Sequence, residues 1–181
     1  MKKNSKKKNI VDYNWIIKLV VSSFLISIIF TVISETVIPN VGILLGTVLI
    51  LIFILVGVIF DMIGLAVATA EEAQFNSMVA KRVKGAKMAL TLKRNAAKVS
   101  SFCNDVVGDI CGIVSGSTGA VIAIKIVEVY NFNPLLVTLI IMGLISSLTI
   151  GGKALEKGYA MKKSNDILYS FAKAISIFEK K

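Results

Sequence analysis

Residues 41–60 read VGILLGTVLILIFILVGVIF, twenty consecutive positions without a charged side chain. At about 1.5 Å per residue, a helix of that length spans roughly 30 Å, the thickness of a bilayer's hydrocarbon core. Working outward, residues 133–152 form a second uncharged run of twenty. Residues 15–38 form a third apolar run, with Lys18 and Glu35 only near its ends. Residues 102–127 form a fourth, and this one alone is polar inside. The whole chain is 55% hydrophobic with a mean hydropathy of +0.78, above the roughly 45–50% apolar content of soluble domains. The expected fold is an all-α integral membrane protein with transmembrane helices at about 15–38, 41–70, 101–127 and 134–152.

The net charge of +10 is divided among segments in a way that sets the expected topology. Of the 21 basic residues, five lie in 1–8, seven in 71–100 and seven in 153–181. The short connections at 39–40 and 128–133 carry none. Basic segments thus alternate across four crossings, as the positive-inside rule demands of a protein with both termini in the cytoplasm. This pattern makes the lipid bilayer the partner and argues against nucleic acid. The expected location is the plasma membrane, multi-pass. A cleaved signal has an apolar core of about 7–15 residues. The first run here is longer, so a retained helix is expected.

Residues 1–14 read as a basic cytoplasmic N-terminus and 15–181 as a single membrane domain. Pro39–Asn40 suits a tight turn, and Pro134 suits the first turn of a helix. Between the second and third runs, apolar residues such as Phe75, Met78, Val79, Ala86 and Leu90 recur at steps of three or four among lysines and arginines. They predict an amphipathic helix over 71–100, or two broken at Gly85, against either lipid or protein. A second juxtamembrane helix is expected at about 155–179, after Gly151–Gly152, with Ile167, Leu168, Phe171, Ile175 and Phe178 as its stripe.

The fourth apolar run holds the chemistry. Residues 100–119 read SSFCNDVVGDICGIVSGSTG. On a helix, Asp105 and Asp109 lie one turn apart on one face that continues through Gly112 and Gly116. Gly108, Gly112 and Gly116 form a GxxxGxxxG row, a surface where a second helix backbone approaches closely. A carboxylate near the membrane centre costs at least about 2.5–3.5 kcal/mol. It therefore demands a proton, a basic partner or a cation. Every donor nearby is oxygen: Asp61, Asn104, Asp105, Asp109 and serine hydroxyls. That set suits a hard divalent ion such as Mg2+. The competing reading is structural: the acids cap helix ends, face interfacial water or pair with lysines, and Lys153 is placed to reach Asp105. An ammonium among the acids would favour that second reading. Cys103 and Cys111, eight residues apart on one helix, are expected as reduced packing residues. With no histidine, nucleophile elbow, phosphate loop or metalloprotease motif, no enzymatic activity is expected.

The stretch FDMIGLAVATAEEAQFNSMVAKRVKGAKMALTLKRNAAKVSSFCNDVVGDICGIVSG, residues 60–116, resembles the transmembrane domain of the CNNM/CorC (CorB) magnesium and cobalt transporters. The shared order is a helix entering the cytoplasm, a small-residue exit, a basic helical segment and a polar helix leading back out. GGKALEKGYAMKK, residues 151–163, sits where that family has a glycine-glutamate-x-x-proline-lysine turn, whose glutamate and proline are not retained around Lys153–Lys157. Asn104 carries over directly, and Asp61 aligns near a family serine. The family's serine-glutamate pair falls near Ile63–Gly64, and Cys103 stands for a glycine before Asn104. The resemblance is to the family's membrane domain alone, and CBS domains are not expected. The resemblance implies a homodimer with a cation site inside each membrane domain. Together with the polar residues it sets the first expectation, divalent-cation (Mg2+-type) transport or export with Asp61, Asn104, Asp105 and Asp109 as ligands. The alternative from the residues themselves is a non-transporting membrane adaptor that dimerises through Gly108, Gly112 and Gly116.

Overall fold

A computed structural model describes residues 13–178, and among these it is helical throughout, without strands. Four long helices are apolar enough to cross a membrane: Tyr13–Asn40, Ile43–Thr69, Ala96–Tyr130 and Pro134–Lys162. The first begins as α1 (Tyr13–Val37) and ends in a 3-10 turn, Ile38–Asn40. α2 is Ile43–Thr69. The third is composite: α5 (Ala96–Ser101), a π-helical segment (Phe102–Gly108) and α6 (Asp109–Tyr130). α7 is Pro134–Lys162. Three shorter helices complete the chain: α3 (Glu72–Ala80), α4 (Ala86–Arg94) and α8 (Ser164–Phe178). The basic segment expected at 1–14 lies outside the described residues except for Tyr13 and Asn14.

The two ends of the bundle are built differently. At one end are the two uncharged connections. Pro39 occupies the 3-10 turn, and Asn40 Nδ2 donates to the Thr36 carbonyl at 2.8 Å. Asn131 stops α6 in the left-handed conformation (φ 53°). Asn133 then caps α7, its Oδ1 accepting from the Leu135 amide at 3.0 Å, with Pro134 in the first turn. These contacts satisfy a terminal acceptor and a terminal donor that hydrocarbon could not. Lys125 also serves this end. Its ammonium donates to the Ile38 carbonyl (3.0 Å) and to the Val41 carbonyl, stitching α6 to the α1–α2 turn.

At the other end the basic helices form a platform with a protein core. Phe75 of α3, Ala89 and Leu90 of α4, and Leu168 and Ala172 of α8 are buried with Ile63 and Val67 of α2 and with Ala70, which caps it. The amphipathic stripes therefore meet protein. The break falls where glycine and basic residues were dense: Gly85 adopts φ 84° and Arg82 φ 54°, separating α3 from α4. Lys93 donates to the Val67 and Ala68 carbonyls at 3.2 and 2.8 Å. It thereby closes orphan acceptors at the end of α2 with a cation, which the helix dipole favours.

Between the ends, α2 is the central rod, packed along α6 and α7. Gly46 admits Ile122, Gly57 admits the Cys111 side chain, and Gly119 admits Ile145. α1 rests mainly on α6. A hydrogen bond between Ser34 and Thr118 (3.0 Å, both buried) ties them together. An apolar cleft of about 270 Å³ lies among Ile26, Phe30, Phe53, Val106 and Ile110. Exposed Ile28, Val32, Leu51, Leu55, Leu139 and Leu148 give the bundle the outer surface a bilayer would cover.

One expected boundary moves. α7 runs unbroken through Gly151–Gly152 to Lys162, so the last juxtamembrane helix starts at Ser164 and not near 155. Gly152 is a contact point: a Cβ there would lie 2.8 Å from a Val58 methyl. The glycine is there for close approach to α2 and does not break the helix.

Candidate functional site

Three charged residues share one level in the bundle. Asp61 lies eighteen residues from Ile43 at the start of α2, Asp109 twenty-one before Tyr130, and Lys153 nineteen after Pro134. At about 1.5 Å per residue, all three stand roughly 27–32 Å from the turn end, at the far edge of one hydrocarbon thickness. The acids are therefore at one rim of an apolar slab, where ionised groups can persist.

Lys153 Nζ sits 2.6 Å from Asp61 Oδ2 and 4.0 Å from Asp109 Oδ1. The two carboxylates differ in setting. The Asp61 side chain is 11% exposed and that of Asp109 is 68% exposed. The Asp61 pairing has an interior character, whereas the longer Asp109 contact is weakened by solvent. The lysine was expected to reach Asp105. That side chain is instead exposed and makes no hydrogen bond or ion pair among the described residues.

Two reciprocal contacts hold α2 against the π segment. Asp61 Oδ1 rests over Gly108, where a Cβ would lie only 2.3 Å away. Asn104 Oδ1 rests over Gly64, where a Cβ would lie 1.8 Å away. Each helix thus lends a glycine to receive the other's oxygen. The widened π turn places Cys103, Val106 and Gly108 on the buried side, with Asn104 beside them. π turns concentrate at functional sites because they re-aim side chains.

Three buried side-chain oxygens lack a hydrogen-bond donor: Asp61 Oδ1, Asn104 Oδ1 and Glu156 Oε2. They come from three different helical segments, and all are acceptors. Glu156, 8% exposed, is one turn beyond Lys153 on α7 and lies in the electrostatic field of Asp61. Buried acceptors without donors cost roughly 1–3 kcal/mol each. Among the described residues no three acidic or cysteine side chains gather into a ready-made metal centre.

The structure divides the expected site residues. Asp61 and Asn104 are in the α2–π contact, Asp109 touches it through Lys153, and Asp105 is outside it. The glycine row also divides. Gly108 is buried under Asp61, whereas Gly112 and Gly116 have open space where a Cβ would go. Cys103 and Cys111 are free and buried, as expected of packing residues. Glu156 and Gly64 were missed. Glu156 had been placed on the later amphipathic helix, and only its i, i+3 spacing from Lys153 hinted at a shared face. Gly57, Asp61 and Gly64, spaced by four and three, were the readable sign that the acid lies on a small-residue face of α2. Comparison with family models, curated proteins and solved structures finds no match to this chain.

Proposed function

We propose that this protein moves a hard cation of the Mg2+ type across the membrane through the α2–π–α7 site. The observation that carries the reading is the set of donor-less buried oxygens on Asp61, Asn104 and Glu156. The Lys153 ammonium between Asp61 and Asp109 is the arrangement that favours the structural reading, and it accounts for Asp61 Oδ2. It leaves these three atoms without a donor. Sparse ligation supports passage over storage, since conducted ions must bind weakly enough to leave. In this reading the basic platform faces the cytoplasm, both termini lie there, and the exposed apolar flanks face plasma-membrane lipid.

A specific observation also favours the second reading, a dimerising membrane adaptor. Gly112 and Gly116 present open backbone on α6, which a second copy could approach closely. One experiment separates the two. The purified protein is reconstituted in liposomes containing a Mg2+-sensitive dye, as wild type, Asp61→Asn and Gly112→Leu. Transport predicts Mg2+ entry that Asp61→Asn abolishes. The adaptor reading predicts no entry in any of the three and loss of self-association in Gly112→Leu alone.

A further inference from the structure

We propose that the groove where α7 meets α8 binds a phospholipid of the phosphatidylethanolamine class, with the lipid phosphate on Lys163 and its primary ammonium on Asp166. The groove encloses about 400 Å³. α2 lends it Ile59 and Met62, whereas Tyr159, Lys163, Asp166 and Ser170 come from the end of α7, the joint and α8. Ile59 and Met62 stand sixteen and nineteen residues from Ile43, roughly 24–29 Å from the turn end and inside one hydrocarbon thickness. Tyr159 stands twenty-five residues from Pro134, about 38 Å from that end and at headgroup depth. The groove therefore crosses the boundary at which a phospholipid changes from acyl chain to headgroup. Asp61, Asn104, Lys153 and Glu156 are outside its lining, so it is separate from the charged cluster of the bundle.

The charges of the lining select the headgroup. Lys163 Nζ lies 3.6 Å from Asp166 Oδ2, and both side chains are more than half exposed. Water screens such a pair, so it adds little to the fold and leaves both groups open to a ligand. The Tyr159 and Ser170 hydroxyls in the same lining make no hydrogen bond among the described residues. A zwitterionic headgroup carries the complementary charges, a phosphate and an ammonium joined by a short ethylene link. The phosphate accepts from the lysine ammonium and the hydroxyls, and a primary ammonium donates N–H to the carboxylate. A choline has no N–H to give Asp166, and a purely anionic headgroup meets that carboxylate with like charge. Lys157 and Lys162, the neighbouring cations on α7, lie outside the lining. They attract anionic lipid in general and do not select this headgroup. An acyl chain has a track as well. Ile59, Leu55 and Leu51, four residues apart on one face of α2, are all exposed. Leu51 then lines a second apolar cleft with Leu144 and Leu148 of α7.

The test titrates the full-length protein in detergent with phosphatidylethanolamine, phosphatidylcholine and phosphatidylglycerol carrying identical oleoyl chains, and counts bound lipid by native mass spectrometry. Phosphatidylethanolamine is expected to bind about threefold more tightly than either competitor, the scale of one exposed charge contact. Asp166→Asn should erase its advantage over phosphatidylcholine, and Lys163→Gln should weaken both zwitterionic lipids. Lys162→Gln, a change beside the groove but outside it, should leave the preference intact. Lys163 and Asp166 are exposed, so their variants are expected to fold, and circular dichroism checks this. Equal binding of the three lipids overturns the proposal. A preference for phosphatidylglycerol that falls equally in Lys162→Gln and Lys163→Gln also overturns it, by reducing the attraction to surface charge. A phosphatidylethanolamine preference that survives Asp166→Asn overturns the pairing of headgroup and lining.

Discussion

Replacing Lys153 with Met should destabilise the bundle far more than replacing Asp61 with Asn, and the asymmetry follows from exposure. Lys153→Met keeps the aliphatic stem but leaves the Asp61 carboxylate, 11% exposed, without its 2.6 Å partner. Removing one member of a fully buried pair costs about 3–5 kcal/mol. With Lys153 itself 30% exposed, the expected cost is about 2–4 kcal/mol. Asp61→Asn leaves an ammonium that can lean to Asp109, 4.0 Å away and largely exposed. Its expected cost is nearer 1 kcal/mol, that of a partly screened pair. The double variant removes both charges and should lie within about 1 kcal/mol of Asp61→Asn, giving a coupling of roughly 3 kcal/mol. Reversible unfolding in mixed micelles, followed by circular dichroism in the absence of divalent ions, measures all four species. Equal costs for the two single variants, or additivity in the double, would refute the assignment of Asp61 as the buried partner.

Gly64→Ala should cost about 1–3 kcal/mol by overpacking, offset by about 1 kcal/mol of helix propensity, because its Cβ would meet Asn104 Oδ1 at 1.8 Å. Adding Asn104→Ala should restore stability beyond that of Asn104→Ala alone, as measured by thermal denaturation in detergent. Lys125→Met strips two carbonyls, Ile38 and Val41, of their donor. It should lower stability by about 1–3 kcal/mol and increase deuterium uptake selectively at 36–42. In the orientation proposed here, cysteine introduced at Asn40 should react with an impermeant maleimide from outside intact cells. Cysteine at Lys84 should react only after permeabilisation, and labelling of both from one side would overturn the four-crossing arrangement.

Much of the bundle was legible because bilayer thickness imposes a length that uncharged runs reveal. The 41–60 run, the Pro39–Asn40 turn and the Asn133–Pro134 cap each sit where their chemistry places them. Gly85 broke the basic segment as a residue suited to positive φ should. Gly151–Gly152 misled because a glycine pair reads as a helix end in water. Against Val58 it serves packing inside a continuing helix. The site was only partly legible. Asp61 and Asn104 stood out as polar groups in apolar runs. Which lysine would meet which acid depended on the rotation of α7 about its axis and on a seven-residue π segment that no short motif announces. Asp105 was over-read for the same reason, since helical spacing gives a shared face but not the direction in which that face looks.

The most direct test of the cation reading is an experimental structure determined in Mg2+ and again in a chelator. In Mg2+ alone, an octahedrally surrounded ion is expected at about 2.0–2.1 Å from the Asp61 carboxylate, with the Lys153 ammonium displaced from it. Identical maps in both conditions, with the ammonium still seated on Asp61 and no ion beside it, would contradict it.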